Sequence, residues 1–202
     1  STGFCTGRFD RWVDIRNNFG LRAKKGYVKA HISCGVKTNI IVSAEITRGT
    51  VADSTMFESL VTQTAENFNM KEVSADKAYS SRDNMDLANE LGAMPYIPFK
   101  SNATGKAGGS PTWAKMYQMY AKDYLKFAEH YHKRSNVEST FAMIKRKFGD
   151  FVRCKSERSQ TNEVLCKILA HNLVVLIHEI FELKIDVDFL KEVKNMPAQK
   201  VI

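Results

Sequence analysis

Hydrophobic positions in this 202-residue chain alternate at first and become helical in period further on. Arg11 to Arg16 (RWVDIR), Tyr27 to Ser33 (YVKAHIS) and Thr38 to Thr47 (TNIIVSAEIT) are rich in β-branched and aromatic residues, which suit a pleated, half-buried surface. Gly20, Lys25-Gly26 and Gly35 punctuate them, so the pattern predicts three strands with short, antiparallel connections. At Asp53 the period lengthens. Met56, Leu60, Val61 and Thr64 follow helical spacing, with Asp53-Ser54 as the expected N-cap. A short strand over Glu72–Ala75 delivers Asp76, a helix runs from Arg82 to Leu91 and stops at Gly92, and Pro95–Pro98 reads as an edge strand. Residues 100–112 (KSNATGKAGGSPT) form a Gly/Ser-rich loop. Helices are expected over Trp113 to about Tyr131, about Asn136 to Phe148, and about Asn162 to Phe181, with a weakly periodic tail over 184–202. Strands followed by helices predict a layered α/β or α+β domain.

Composition narrows the class. The length suits one domain with a sizeable core, so residues 1–183 are read as that domain and 184–202 as its tail. No unbroken apolar run approaches the roughly 18 residues of a membrane span; the longest, Leu173–Ile177, stops at His178-Glu179. No secretory signal is visible, and the opening Ser1 suggests a fragment of something longer. No membrane partner is expected. Cysteines 5, 34, 154 and 166 have neither C-x-x-C nor zinc-ligand spacing and read as free thiols of a reducing compartment.

The net charge of +8 points to a polyanionic partner. Its excess is concentrated. Trp113–Arg158 carries eleven Lys or Arg against five Asp or Glu, and Arg8–Lys29 carries seven against two. A lone cluster of this kind reads equally well as a solvated face. Two in one basic domain favour nucleic acid.

Candidate chemistry concentrates at Tyr131-His-Lys-Arg-Ser-Asn-Val-Glu138, followed by Lys145. On a 3.6-residue helix, Tyr131, Arg134, Glu138 and Lys145 fall within an arc of about 60°. Val137, Phe141, Ile144 and Phe148 fill the adjacent arc. A carboxylate among cations at the edge of an apolar face suits a metal ion facing a phosphodiester. Ser135-x-x-Glu138 also reads as a capping box, in which Glu138 would only satisfy the first helical amides. Asp76 has an alternative reading as a turn aspartate ahead of the helix. His130 and His132 alternate on their helix and point apart, His171 and His178 read as packing or partner-facing residues, and Trp113 as a helix anchor. Gly108-Gly109 lacks the Lys-Ser/Thr of a phosphate-binding loop.

The spacing Tyr131, two residues, Arg134, three, Glu138, six, Lys145 resembles the signature of insertion-sequence transposases with a DDE domain. The resemblance extends to Ser1-Thr2-Gly3-Phe4, to Ser74-Ala75-Asp76-Lys77-Ala78-Tyr79 and to the helix start at Asn162-Glu163. It implies a ribonuclease H-like mixed sheet, antiparallel in its first three strands, with flanking helices and a helical C-terminal part. It further implies Asp76 and Glu138 as metal-binding catalytic carboxylates, with two Mg²⁺ ions (or Mn²⁺ in their place) in the complete enzyme. DNA would be contacted by Tyr131, Lys133, Arg134, Lys145 and Arg146. The family's first aspartate would directly precede Ser1, and Asp10 and Asp14 fall at the wrong elements to replace it. The chain as given is therefore expected to bind metal weakly and to be inactive. The implied activity is DNA cleavage followed by strand transfer, on element ends and target DNA, by a homodimer or larger assembly on DNA. Its setting would be the cytoplasm of a prokaryote, at the nucleoid. Two other readings stand beside it: a stand-alone ribonuclease H-like nuclease, and a non-catalytic DNA-binding protein derived from a transposase.

Overall fold

A computed structural model describes residues 1–6, 16 and 26–184. Strands β1 (Thr2–Cys5), β2 (Tyr27–Cys34) and β3 (Ile41–Arg48) form an antiparallel sheet in that order. Thr2 pairs with Ala30, and Val28 with Arg48. The antiparallel three-stranded sheet is as expected, but its first strand is the opening segment at Thr2–Cys5. The strand expected at 11–16 lies outside the described residues except for Arg16, which is helical. Asp10, Asp14 and Gly20 also lie outside them.

Alternation fixes which face of this sheet is buried. Phe4, Val28, Ala30, Ile32 and Ile41 point to one side, where Phe141, Ile144, Val164 and Ile168 close a first core. The residues Phe141 and Ile144 come from helix α5 (Ser135–Phe148), and Val164 and Ile168 from α6 (Glu157–Leu183). Between β3 and the rest lies α1 (Phe57–Asn67), whose Leu60 carbonyl accepts from Ser43 Oγ at 2.9 Å.

A second core is assembled around β4 (Glu72–Ser74) and β5 (Met94–Tyr96), which pair in parallel. It contains Phe57, Met85, Ile97, Phe99, Trp113, Met116 and Phe127. Helices α2 (Arg82–Glu90), α3 (Pro111–Lys122) and α4 (Tyr124–Tyr131) enclose it. The strands are thus hydrogen-bonded as two groups, one antiparallel and one parallel. An antiparallel three-stranded sheet flanked by helices, with a helical C-terminal part, is consistent with a ribonuclease H-like architecture.

Local chemistry explains where helical boundaries depart from expectation. The single helix expected from Trp113 to Tyr131 breaks at Asp123, whose φ of −135° and ψ of 62° are not helical. Its carboxylate accepts from Lys126 N and starts α4 afresh. Ser110 caps α3 in the same way, with Pro111 at the first helical position, so the helix begins inside the segment read as loop. Ser156 caps α6, which starts earlier than Asn162. Trp113 anchors α3 as expected, buried and donating from Nε1 to Thr104 O at 2.8 Å.

By length and composition α6 could cross a membrane, with a mean hydropathy of 1.7 over 18 residues. The absence of an unbroken apolar run concealed this, because isolated polar residues interrupt the pattern. Those residues tie the first half of α6 to the body. Asn172 bonds both Ile41 N and Ile41 O at 2.8 Å, as a neighbouring strand would. His171 is buried with Nε2 3.0 Å from Asn39 O, and Lys167 donates to Phe151 O.

Replacing Asn172 with Leu leaves a backbone donor and acceptor of β3 without that partner. At roughly 1–3 kcal/mol per unsatisfied buried group, Asn172→Leu is expected to lower unfolding stability by about 2 kcal/mol or more in urea titrations. An unchanged midpoint would show that water replaces the amide without cost.

Candidate active site

The site forms where the two cores meet. Residues 131–148 run from one to the other, with Tyr131 packed on the second core and Val137, Phe141, Ile144 and Phe148 on the first. Arg134 and Glu138 fall at the junction. A short 3-10 turn, His132–Arg134, links α4 to α5, and Arg134 caps α5 with backbone alone.

Ser135 therefore does not cap α5, and the capping-box reading of Glu138 fails. Glu138 instead accepts from Arg134 Nη1 at 2.7 Å, while Arg134 Nε donates to Tyr131 Oη at 2.8 Å. Tyr131, Arg134 and Glu138 thus form one connected chain, as their shared helical arc predicts. Burial works against the Arg134 charge, but the bonds to Tyr131 and Glu138 outweigh it and raise its pKa. The carboxylate side of the pair is 65 % exposed. An exposed ion pair contributes about 0–1 kcal/mol, too little to make Glu138 a staple of the fold.

Asp76 leaves the end of β4 and accepts from Lys77 N through Oδ1 at 2.6 Å, capping the short 3-10 turn Lys77–Tyr79. The turn-aspartate role is real, and it is compatible with a second role. Asp76, Arg134 and Glu138 line one cavity of about 720 Å³ together with Ser1, Tyr79 and Lys133. Asp76 and Glu138 are 62 residues apart in sequence, and both line this cavity on segments that are tied together where β4 is clamped to the 130–133 segment. Glu72 binds His130 Nδ1 and Lys133 Nζ, each at 2.5 Å, and Ser74 Oγ donates to His130 O. Burial pushes the Glu72 carboxyl up, but the Lys133 and His130 bonds more than offset this and hold it below its ordinary value.

The other candidates divide. Lys133 lines the cavity with its ammonium engaged by Glu72. Tyr131 reaches the cavity only through Arg134. Lys145 lies with Nζ 5.6 Å from the Phe4 ring centroid, and Arg146 is exposed on α5; neither lines the cavity. His130 stacks on Tyr96 at 4.3 Å between centroids, and His178 pairs with Glu182 on the exposed part of α6.

Asp53 departs most from expectation. Ala52, not Asp53, occupies the N-cap of the 3-10 turn at 53–56, with no side-chain cap bond. The Asp53 carboxylate accepts from Ser1 Oγ at 2.7 Å and pairs with Lys29 Nζ at 2.7 Å. Burial raises its pKa, yet Lys29 and Ser1 prevail and the net shift is downward. Local sequence cannot reveal this role, because the partners are distant in the chain: Ser1 precedes β1 and Lys29 lies in β2. Tyr79 was also missed as a site residue, although it lies in the Asp76 segment. Burial, then the charges of Asp53 and Asp76, push its phenol up to about 12, so it remains a hydroxyl donor at neutral pH. The start of β1 is held at the cavity by the bond from Ser1 Oγ to Asp53.

Could this site hold a divalent ion? Mg²⁺ is bound through one or two carboxylates with several waters retained. Asp76 and Glu138 supply that donor chemistry on one cavity. Among the described residues no group of three or more His, Cys, Asp or Glu side chains is placed to hold a metal. The donor set thus fits a hydrated hard cation and falls short of a full carboxylate triad.

An α/β fold that brings Asp76, Glu138 and Arg134 to one cavity is consistent with a ribonuclease H-like domain. The family model described as transposase DDE domain matches residues 6–173. The chain belongs to the DDE transposase family, whose general function is catalytic cutting of DNA and whose members generally bind DNA and act as dimers. Comparison with curated proteins and with solved structures returns no match.

His31 provides a pH test of the packing beside Asp53. It is fully buried, with Nε2 2.9 Å from Thr47 Oγ1 and Nδ1 3.7 Å from Asp53 Oδ1. Burial, only partly opposed by Asp53, lowers its pKa below 6.5. As pH falls through about 6.5 the unfolded chain takes up this proton first, so stability declines from there down to the folded pKa. The urea midpoint is expected to fall between pH 7 and pH 5.5, and to fall less in His31→Gln. Parallel declines in both proteins would contradict the assignment.

Proposed function

We propose that this chain is the catalytic domain of a cut-and-paste transposase, residues 1–183, with 184–202 as its tail. Asp76 and Glu138 are its catalytic carboxylates, and in the family's pattern the position of a third falls immediately before Ser1. The observation that carries this reading is that Asp76, Glu138 and Ser1 line the same cavity, although they come from three separate segments.

The two carboxylates would hold Mg²⁺, or Mn²⁺ in its place. A bound pair of such ions activates water and relieves charge on the attacking and leaving oxygens of a phosphodiester. The chain's own groups do the rest. Arg134, fixed in direction by Tyr131 and Glu138, presents a planar donor fork suited to a phosphate. When a phosphate takes that fork, the Glu138 carboxylate is released for the cation at little cost, because the exposed pair it leaves is weak. Lys145 and Arg146, on α5, would hold the DNA backbone, which contributes affinity and register rather than sequence choice. Lys133 contributes positive potential while bound to Glu72. Hydrolysis of a phosphodiester at the element end frees a 3′-hydroxyl, which attacks a target phosphodiester and displaces the target's own 3′-oxygen, so that the element is joined there. Such an enzyme would work in a prokaryotic cytoplasm, at the nucleoid, with two protomers pairing two element ends.

Two observations favour a second reading. Glu138 is engaged by Arg134, and no three-donor cluster is present among the described residues. Both features also fit a transposase-derived protein that binds DNA without cutting it.

Nicking of supercoiled plasmid in Mg²⁺ or Mn²⁺ separates the two readings, using the chain with one Asp added before Ser1. Cleavage is expected, falling about a thousandfold or more in Asp76→Asn and in Glu138→Gln, as for members of a catalytic unit, with DNA binding kept. Absence of nicking together with DNA binding indifferent to Mg²⁺ would establish the non-catalytic reading.

A further inference from the structure

The segment between β5 and α3 carries charge and order that the cavity does not use. From Leu91 to Lys122 the chain holds four lysines and no Asp or Glu. Lys100 and Lys106 stand in the loop itself, both exposed, and none of residues 100–109 lines the Asp76–Glu138 cavity. Its Gly/Ser-rich composition suggests a slack loop, yet side chains from two helices tie it down. Arg82 of α2 donates from Nη2 to Lys106 O at 3.2 Å and from Nε to Ala107 O at 3.1 Å. The same guanidinium lies 4.8 Å from the Trp113 ring centroid, and Trp113 Nε1 donates to Thr104 O at 2.8 Å. Ser110 closes the loop, donating from Oγ to Asp86 at 2.7 Å.

The ties from Arg82 and Trp113 all take loop carbonyls. Among the described residues none accepts from the backbone N–H groups of residues 104–109, which are exposed. Engaged carbonyls and open amides turn the positive ends of successive peptide dipoles to solvent, beside two ammonium groups. Gly108 and Gly109, with φ of 54° and 93°, reverse the chain there at low cost. Location selects the ligand. Strands β4 and β5 run parallel, so the chain leaves both at the same end, with Asp76 two residues past β4 and Lys100 four past β5.

We propose that residues 100–109 bind the phosphate backbone of duplex DNA where it passes the Asp76 end of the sheet, through Lys100, Lys106 and the open amides. Lysines and backbone amides are both regular phosphate donors, and a loop ordered beforehand loses less freedom on binding. This contact depends on the chain acting on DNA, as proposed above, and not on the chemistry assigned to Asp76 and Glu138.

The test is fluorescence anisotropy of a short labelled duplex of random sequence with the full chain, over a salt series without divalent metal. Losing two phosphate contacts changes the slope of log affinity against log salt by about two, and Lys100→Gln/Lys106→Gln should show that change with a Kd raised about tenfold or more. Lys71→Gln removes an exposed lysine before β4, at the opposite end of the sheet, and should alter neither quantity. Arg82→Lys keeps the charge but loses the planar fork that orders the loop, so its affinity should also fall. Wild-type slope and affinity in the double variant, or an equal loss in Lys71→Gln, would overturn the proposal. Calorimetric binding of inorganic phosphate that disappears in the double variant while DNA affinity stays intact would reassign the loop to a small phosphate ligand. No binding of the duplex by the parent chain would sink the DNA reading itself, and this contact with it.

Discussion

The geometry of the cavity depends on one carboxylate that takes no part in the proposed chemistry. Glu72 is held between His130 and Lys133, and through it the parallel strand pair is fixed to the segment entering α5. Asp76 follows Glu72 by four residues and Glu138 follows Lys133 by five, so the clamp sets their separation with little intervening chain. His130 is in turn fixed from behind by stacking on Tyr96, itself part of the second core. The hydrophobic effect builds each core separately. It has no direction, and cannot by itself set where one core lies relative to the other. Half-buried charged bonds do have direction, and at this junction they determine position more than they add stability.

The same distinction separates the two ion pairs of the site. Glu72 is engaged on both oxygens, by His130 Nδ1 and Lys133 Nζ, so releasing it would leave both partners without their acceptor. Glu138 is engaged by Arg134 alone and is largely exposed. An arrangement in which the inner pair is committed and the outer pair is exchangeable suits a site that must accept a polyanion and a cation together. Asp53 extends the pattern. Its bonds to Ser1 and Lys29 attach the beginning of β1 to the edge of the same cavity, where the charges of both aspartates help keep the Tyr79 phenol neutral.

Much of this was legible in the sequence where the signal is local and periodic. The arc shared by Tyr131, Arg134 and Glu138 became a connected chain of hydrogen bonds because three- and four-residue spacings are neighbours on a helix. The apolar arc beside it became part of the first core. What was lost was lost for physical reasons. Asp53 and Ser135 both resemble N-caps by residue type, yet capping depends on backbone angles that a residue type only biases: Asp53 is drawn to Ser1 and Lys29, and Ser135 already has helical angles. Asp123 broke a helix because its own side chain could start another. The Glu72 clamp and the Ser1–Asp53 bond join residues about fifty or more positions apart, a separation that no periodicity encodes. Lys145 matched the helical arc but turned to the Phe4 ring, since a long aliphatic stem follows nearby apolar surface.

The central claim is that Asp76 and Glu138 serve one metal-binding centre. Titration calorimetry with Mn²⁺ tests it most directly, on the chain with one Asp added before Ser1. Removing a group that only orients a ligand costs about ten- to a hundredfold in metal affinity, so removing a ligand should cost at least as much. Asp76→Asn and Glu138→Gln are each predicted to weaken the same binding event about tenfold or more. Affinity unchanged in both variants would contradict the account.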